Sequence, residues 1–154
     1  MAEDAASVNI LLVSESDWQS RAIQMATHGI YNHAGVLMSD GTLIEALSTG
    51  IVRTQPPYYT NVKTATAIFP VDAEDKAAAD KWLLTVVGDK YDLWNIVAFG
   101  VNFLTNGNVI LGQKNEYICS ALAAEYVTRA GFEGFGDPRS ISPNDIARMA
   151  KIPC

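Results

Sequence analysis

The stretch HAGVLMSDGTLIEALSTGIVRT, residues 33–54, decides the fold of this 154-residue chain. Two apolar runs, residues 33–38 and 42–47, flank the tripeptide Ser39-Asp40-Gly41, which is a turn signal between strands. The run at residues 50–54 follows at once and continues the same pattern. The stretch therefore predicts a hairpin that extends into an antiparallel meander.

The register of this hairpin determines which side chains share a face of the sheet. If the loop consists of residues 39–41, Gly35 pairs with Glu45, and His33 then projects from the same face as Glu45, on the diagonal. A two-residue turn would slip the register by one residue and move Glu45 to the opposite face. Three-residue loops favour a residue with positive φ at their last position, which suits Gly41. We therefore predict the three-residue loop.

Other elements are predicted on both sides of the hairpin from apolar periodicity, caps and breakers. Strands are expected over residues 9–14 and 63–69, the second ending at Pro70. Helices are expected over residues 16–29, 71–88, 92–107, 116–131 and 142–152, and loops over residues 55–61, 108–115 (or a short strand) and 133–140. The order predicts a single α+β domain over residues 1–154, with an antiparallel β-meander or barrel packed against helices.

The charge of the chain and its apolar segments argue against a nucleic-acid partner, an export signal and a membrane span. The net charge is −6 and the pI is about 4.7, and no basic stripe is available for phosphates, so no nucleic-acid partner is expected. The opening MAEDAASVNILLVSESDW lacks the basic and apolar regions of an export signal. No segment approaches the roughly 20 apolar residues of a membrane span. We expect a cytoplasmic protein, or one delivered by a non-classical route such as a phage particle.

The chain has two cysteines, and one of them lies in NEYICSALAAEYVTRAG, residues 115–131. The helix predicted from residue 116 puts Cys119 in its first turn, where unpaired N–H groups stabilise a thiolate. The alternative is a buried cysteine that packs as a small apolar residue. The other cysteine, Cys154, is the last residue, so a disulfide between the two is a minor alternative. Their spacing predicts no metal site, and no cofactor is expected.

A reactive thiol needs a base, and the chain has two histidines. His28 lies beside Gly29 at the end of a predicted helix, where a cation complements the helix dipole, so we interpret it as structural. His33 opens a strand among small and apolar residues, and a structural role and a catalytic role both remain open. Glu45 is the only charged residue in TLIEALSTGIV and is the candidate for orienting the imidazole. Its alternative is a solvent-exposed strand carboxylate.

A series of short motifs, in order along the chain, carries a resemblance to a known family. They are Thr27 near a helix end, Tyr31-Asn32-His33-Ala34-Gly35, Ile44-Glu45-Ala46, Tyr91-Asp92, Cys119-Ser120 and Ser142-Pro143. With these motifs the chain resembles the permuted papain-like cysteine hydrolases, the NlpC-type group that includes bacterial YiiX-like proteins. That group is related in fold to the lecithin:retinol acyltransferase group. The chain departs from the family before the first strand, where Ser7-Val8-Asn9 stands in place of a frequent Gly-Asp.

The resemblance implies a circularly permuted papain-like fold, in which the histidine strand precedes the cysteine helix. It implies Cys119 as nucleophile, His33 as general base and then acid, and Glu45 as the group that orients the imidazole. Tyr31 and Tyr117 are weaker candidates for contacts to the oxyanion or substrate, with packing as their alternative. The expected reaction is thiol-dependent cleavage of an amide bond in the peptide of peptidoglycan. Lipid acyl hydrolysis or transfer, and a non-catalytic module of an assembly such as a phage tail, are the alternatives.

Overall fold

The predicted hairpin lies within an antiparallel β-sheet. A computed structural model describes residues 5–16, 29–47, 49–88 and 111–154 of the protein. The strands within these residues are β1 Ala5–Ser14, β2 His33–Leu37, β3 Leu43–Leu47, β4 Gly50–Thr54 and β5 Lys63–Asp72. They form one sheet in the order β4-β3-β2-β1-β5, with every neighbouring pair antiparallel. The predicted meander is thus β2, β3 and β4, and β1 lies between β2 and β5.

The hairpin between β2 and β3 has the predicted three-residue loop. The backbone N–H of Met38 donates to the carbonyl of Thr42 at 2.8 Å, and the strands pair in the register that this contact requires. Gly41 has a φ of 82°, in the left-handed region that glycine adopts without strain. The register prediction is therefore confirmed, and His33 and Glu45 lie on the same face of the sheet.

The last strand is longer than the sequence predicts. A strand that ends at Pro70 is expected, but β5 continues through Pro70 to Asp72, with Pro70 opposite Ser7 of β1. Because β5 is an edge strand of the described sheet, half of its backbone groups have no partner strand, and a residue without an N–H is tolerated. The predicted end was wrong because apolar alternation does not distinguish an edge strand from a central one.

Three α-helices lie within the described residues, and side chains cap the first turn of two of them. The helices are α1 Ala73–Val86, α2 Leu111–Arg129 and α3 Pro143–Met149. The side chain of Asp72 accepts from the N–H of Glu74 at 3.2 Å at the start of α1. Ser142 begins α3 through a reciprocal capping box with Asp145, with Pro143 in the first turn. Capping by nearby side chains therefore determines where α1 and α3 begin.

Helix α2 begins earlier than the sequence predicts. The prediction of a loop or short strand over residues 108–115 is wrong from Leu111 onward, because the chain is helical from that residue. Polar residues suggested a loop there, but Gln113 and Lys114 are also good helix formers, so polarity alone does not mark a loop. Cys119 consequently lies about two turns inside the described helix rather than in its first turn.

The two faces of the sheet have different coverings. One face packs against the helices and forms the main core, with Ile10, Val36 and Ile44 from the sheet and Leu83, Leu122, Val127 and Ile146 from the helices among its members. The opposite face carries a smaller cluster, in which Leu11, Val13 and Leu43 pack with Tyr58, Tyr59 and Val62. Because strand side chains alternate, His33 and Glu45 project from this second face.

Some predicted elements lie outside the described residues. The helix predicted over residues 92–107 lies there entirely, and so does the predicted helix 16–29 except for its two terminal residues. Among the helices that are described, none combines the length and the apolar character that crossing a membrane requires.

Candidate active site

The hairpin brings His33 and Glu45 into direct contact. His33 is the first residue of β2, and Glu45 is the middle residue of β3. Nε2 of His33 lies 2.6 Å from Oε2 of Glu45, and 14% of the His33 side chain and 4% of the Glu45 side chain are exposed. Diagonal positions on one sheet face allow two long polar side chains to meet in this way. The solvent-exposed alternative for Glu45 is therefore wrong, because the second face is covered at this point.

Glu45 accepts hydrogen bonds from three described side chains. Besides His33, Oγ1 of Thr54 in β4 donates to Oε1 at 3.1 Å, and the hydroxyl of Tyr59 donates to Oε2 at 2.7 Å. Burial raises the pKa of Glu45, but the hydrogen bonds from His33 and Tyr59, the charge of His33 and the hydrogen bond from Thr54 outweigh burial and lower it. The carboxylate is therefore buried, ionised and well supplied with donors.

Cys119 adjoins the same imidazole. It is buried on α2, with 1% of the residue exposed. Burial lowers the pKa of His33, but the negative charge and hydrogen bond of Cys119, followed by the hydrogen bond and charge of Glu45, raise it to about 10. Because Nε2 faces Glu45, Nδ1 is the ring nitrogen available to Cys119. The structure thus brings the three predicted residues together, with the imidazole between sulfur and carboxylate.

The position of Cys119 within its helix corrects one argument made from the sequence. Since α2 is helical from Leu111, the N–H of Cys119 belongs to the helical ladder and bonds to the carbonyl four residues earlier. The expected stabilisation of a thiolate by a helix terminus is wrong for that reason. The neighbouring positive charge that can stabilise a thiolate is the imidazolium of His33.

One segment, residues 141–144, contacts both halves of the site. The carbonyl of Ile141 accepts from Oγ of Ser120, the residue after the site cysteine, at 2.6 Å. The fully buried side chain of Asn144 accepts from the N–H of Tyr31 at 2.9 Å and donates to the carbonyl of Tyr31 at 2.8 Å. Tyr31, two residues before His33, and Ser120, the residue after Cys119, therefore both bond to residues 141–144. These contacts fix the position of β2 relative to α2.

The remaining predicted residues have other surroundings. Tyr31 is buried in the main core, and its hydroxyl donates to the carbonyl of Pro153 at 3.5 Å, as in the packing alternative. Tyr117 lies in α2, but its side chain is outside the described part of the structure. Cys119 is buried, Cys154 is exposed, and no disulfide joins them.

Sequence reasoning missed Tyr59 and Thr54, which complete the surroundings of Glu45. The segment 55–61 reads only as a loop, because Pro56 and Pro57 interrupt both kinds of ladder. A signal for Tyr59 was nevertheless present, since two consecutive tyrosines in a loop carry apolar area that usually finds cover. Thr54 could have been found by extending the meander, because its side chain alternates onto the face that carries Glu45.

The three side chains form a path for a proton. A thiol can pass its proton to an adjacent imidazole, and the carboxylate stabilises the imidazolium that results. Among the described residues, no group of three or more histidine, cysteine, aspartate and glutamate side chains could hold a metal ion.

Comparison with known proteins adds no family to these observations. A scan against protein-family models finds no match to the chain, and a search of curated proteins finds none either. The candidate function therefore depends on the chemistry of the side chains described above.

Proposed function

We propose that the protein is a thiol hydrolase that cleaves an amide bond through Cys119, His33 and Glu45. The observation that carries the proposal is the imidazole, 2.6 Å from a buried carboxylate and hydrogen-bonded to a buried thiol. Burying ionisable groups costs free energy, so a chain that gathers three of them from distant positions needs a reason for doing so. A nucleophile, a base and an orienting group in series are such a reason.

The proposed reaction has two steps. In the first, the thiolate sulfur of Cys119 bonds to the carbonyl carbon, and the carbon–nitrogen bond breaks as His33 gives its proton to the leaving amine. In the second, His33 takes a proton from water, the oxygen of that water bonds to the thioester carbon, and the carbon–sulfur bond breaks. The products are a carboxylic acid and the regenerated thiolate–imidazolium pair. Glu45 stays ionised throughout and stabilises the imidazolium.

The protonation of His33 supports this order of events. Burial opposes a positive charge, yet the thiol and the carboxylate together raise the pKa of His33 to about 10. At neutral pH the imidazolium is therefore the resting form, and the acid needed by the leaving amine is already charged. The imidazolium adjoins the sulfur that attacks.

The order of the elements supports the permuted papain-like fold as the finer description of this α+β protein. The strand with His33 precedes the helix with Cys119 along the chain, and Glu45 comes from the strand paired with the histidine strand. This is the arrangement that the resemblance to the NlpC-type hydrolases implies. We infer the same fold here on that ground.

Peptidoglycan peptide is the substrate that we propose. The basis is the resemblance of residues 31–35, 44–46 and 119–120 to the NlpC-type group, and the direct test is digestion of purified muropeptides read by mass spectrometry. The wild type should release fragments whose summed mass exceeds that of the substrate by one water, and Cys119→Ala should release none. Cys154→Ser is the matched control, because it removes the exposed thiol and should cleave at the wild-type rate. Failure of the wild type to cut any muropeptide would count heavily against this substrate.

The alternatives give different results. A stable acyl adduct after incubation with a phospholipid, seen by intact mass in the wild type but not in Cys119→Ala, would reassign the chemistry to lipid acyl groups. Alkylation by iodoacetamide across pH tests the thiol of Cys119 without a substrate, with Cys154 as an exposed thiol in the same molecule. If Cys119 follows the pH dependence of Cys154, and His33→Ala does not alter it, the non-catalytic module is the better description.

A further inference from the structure

The loop of residues 55–62 brings one side chain into the candidate site. The hydroxyl of Tyr59 donates at 2.7 Å to Oε2 of Glu45, the same oxygen that lies 2.6 Å from Nε2 of His33. The phenol ring is inclined at 47° to the imidazole, with the ring centroids 5.7 Å apart. His33 and Thr54 reach Glu45 from within the sheet, whereas Tyr59 reaches it from the loop.

A second tyrosine fixes this loop over the sheet. The hydroxyl of Tyr58 donates to the carbonyl of Gly41, in the hairpin turn, at 3.0 Å, and both tyrosines pack on the second face. Tyr59 has a φ of 49°, a backbone region that bulky residues seldom adopt. Such a conformation persists where the surroundings over-determine it, and here the apolar cluster and Glu45 do so.

Tyr59 is a permanent donor rather than an acid or base. Burial raises its pKa above the ordinary value, and the hydrogen bond and charge of Glu45 and the charges of Glu15 and Cys119 raise it further. A phenol that keeps its proton through the neutral range cannot exchange protons with substrate there. It can hold the carboxylate that it binds.

We propose that Tyr59 is a positioning residue, whose hydroxyl and ring hold Glu45 and His33 in the orientation that presents Nδ1 to Cys119. The inference rests on the proposed thiol chemistry. Two donors on one oxygen, with a third on the other, restrict the carboxylate to one rotamer, and an imidazole bound at Nε2 cannot turn away. The loop 55–62 is then part of the active site as well as the connection between β4 and β5.

The test is Tyr59→Phe, with Tyr126→Phe as the matched control. Each change keeps the ring and removes one hydroxyl that donates to a carboxylate, that of Glu45 for Tyr59 and that of Asp80 for Tyr126. The rate of alkylation of Cys119 by iodoacetamide is followed across pH. Tyr59→Phe should slow the alkylation of Cys119 at neutral pH about tenfold, which corresponds to the loss of one hydrogen bond to a charged group. The dependence of the alkylation rate on pH should move to higher pH. The control should keep the wild-type profile.

The route through Glu45 is tested in a second background. In Glu45→Gln, adding Tyr59→Phe should have almost no further effect, because the hydroxyl acts through the carboxylate. A full additional loss of about tenfold there would mean that Tyr59 acts independently of Glu45, which would overturn the proposal. A Tyr59→Phe profile identical with the wild type would overturn it as well.

The same contact can be measured from its other end with Tyr59 intact. The phenol of Tyr59, followed by NMR, should ionise at lower pH in Glu45→Gln than in the wild type, because the pKa of Tyr59 loses the effect of the carboxylate. An unchanged titration would overturn the inference even if Tyr59→Phe did not fold. If the wild-type Cys119 alkylates with the pH dependence of Cys154, the proposed thiol chemistry fails, and the phenol titration still decides the contact between Tyr59 and Glu45.

Discussion

Two tyrosines of this protein each donate to a carboxylate that also contacts a cationic side chain, one in the candidate site and one between α1 and α2. In the second, the hydroxyl of Tyr126 donates to Oδ1 of Asp80 at 2.6 Å, and Nζ of Lys76 lies 2.7 Å from Oδ2. Burial and then the neighbouring carboxylate raise the pKa of Tyr126, as they do for Tyr59. A phenol, a carboxylate and a cation are thus assembled at two places in the described part of the chain.

The two assemblies differ in burial and in what the cation can do. Lys76 and Asp80 are four residues apart on one helix, with 20% and 24% of their side chains exposed, so water competes with the pair. His33 and Glu45 come from different strands and are 14% and 4% exposed. An ammonium only donates, whereas an imidazole has a second nitrogen that faces the thiol. Under our proposal, one assembly fastens two helices and the other moves a proton.

Removal of the thiol is expected to have the largest effect and to separate the two assemblies. Cys119→Ala should reduce muropeptide hydrolysis by about 10⁶-fold, because the nucleophile is lost. It should change the free energy of unfolding in urea by about 1 kcal/mol, because one buried sulfur is removed. Tyr126→Phe should do the reverse, with normal turnover and a loss of about 1–3 kcal/mol. Loss of turnover in Tyr126→Phe would contradict the view that the assembly around Asp80 has only a structural role.

Replacing each carboxylate by the corresponding amide, in Glu45→Gln and Asp80→Asn, compares the two assemblies directly. Glu45→Gln should keep the fold and lower turnover by about 10²- to 10⁴-fold, because the imidazolium loses its counter-charge. Asp80→Asn should leave turnover unchanged and cost about 1 kcal/mol of stability. Steady-state rates measure the turnover of the two variants, and thermal unfolding measures their stability. Equal turnover in both would contradict the assignment of Glu45.

The pH dependence of stability should report His33. Its pKa rises from 6.5 to about 10 in the folded protein, so the charged ring contributes stability that is fully present below pH 6.5 and is lost as the pH rises through about 10. Urea unfolding of the wild type from about pH 6 to about pH 11 should show this decline. His33→Gln should flatten it, and Cys119→Ala should move its upper end to lower pH. If the dependence of stability on pH were the same in His33→Gln as in the wild type, the decline at high pH could not be assigned to His33.

The smallest effect is expected at Lys76. Lys76→Ala should cost about 0.5 kcal/mol or less in urea unfolding, because a partly exposed pair four residues apart on a helix contributes little. Turnover should not change. A loss above about 2 kcal/mol would mean that this pair is as strongly coupled as the one in the site, which would remove the contrast between them.

The hairpin could be predicted because its determinants are local. A glycine with positive φ closes the loop, and period-two alternation then assigns every side chain of β2 and β3 to a face. That is why the pattern of residue types alone was enough to put His33 and Glu45 on the same face of the sheet. Ser142 and Asp145 likewise mark the start of α3 within four residues of each other.

Other features depend on distant neighbours and could not be predicted. Pro70 ends a central strand but not an edge strand, and the sequence does not show which strand is at the edge. The polar residues before Cys119 suit both a loop and a helical turn, so the start of α2 was predicted too late. Tyr59 could be recognised as an aromatic residue that needs cover, but not as a donor to Glu45.

The sequence by itself determined the α+β class, the hairpin register and the start of α3 at Ser142. These depend on turn geometry, alternation and hydrogen bonds between neighbours, whose energies act over a few residues. Only the tertiary structure decided that Cys119 adjoins His33 from inside a helix, and that Tyr59 lies against Glu45. Such contacts require separate elements to pack at particular distances and angles, and a linear pattern of residue types carries no measure of either.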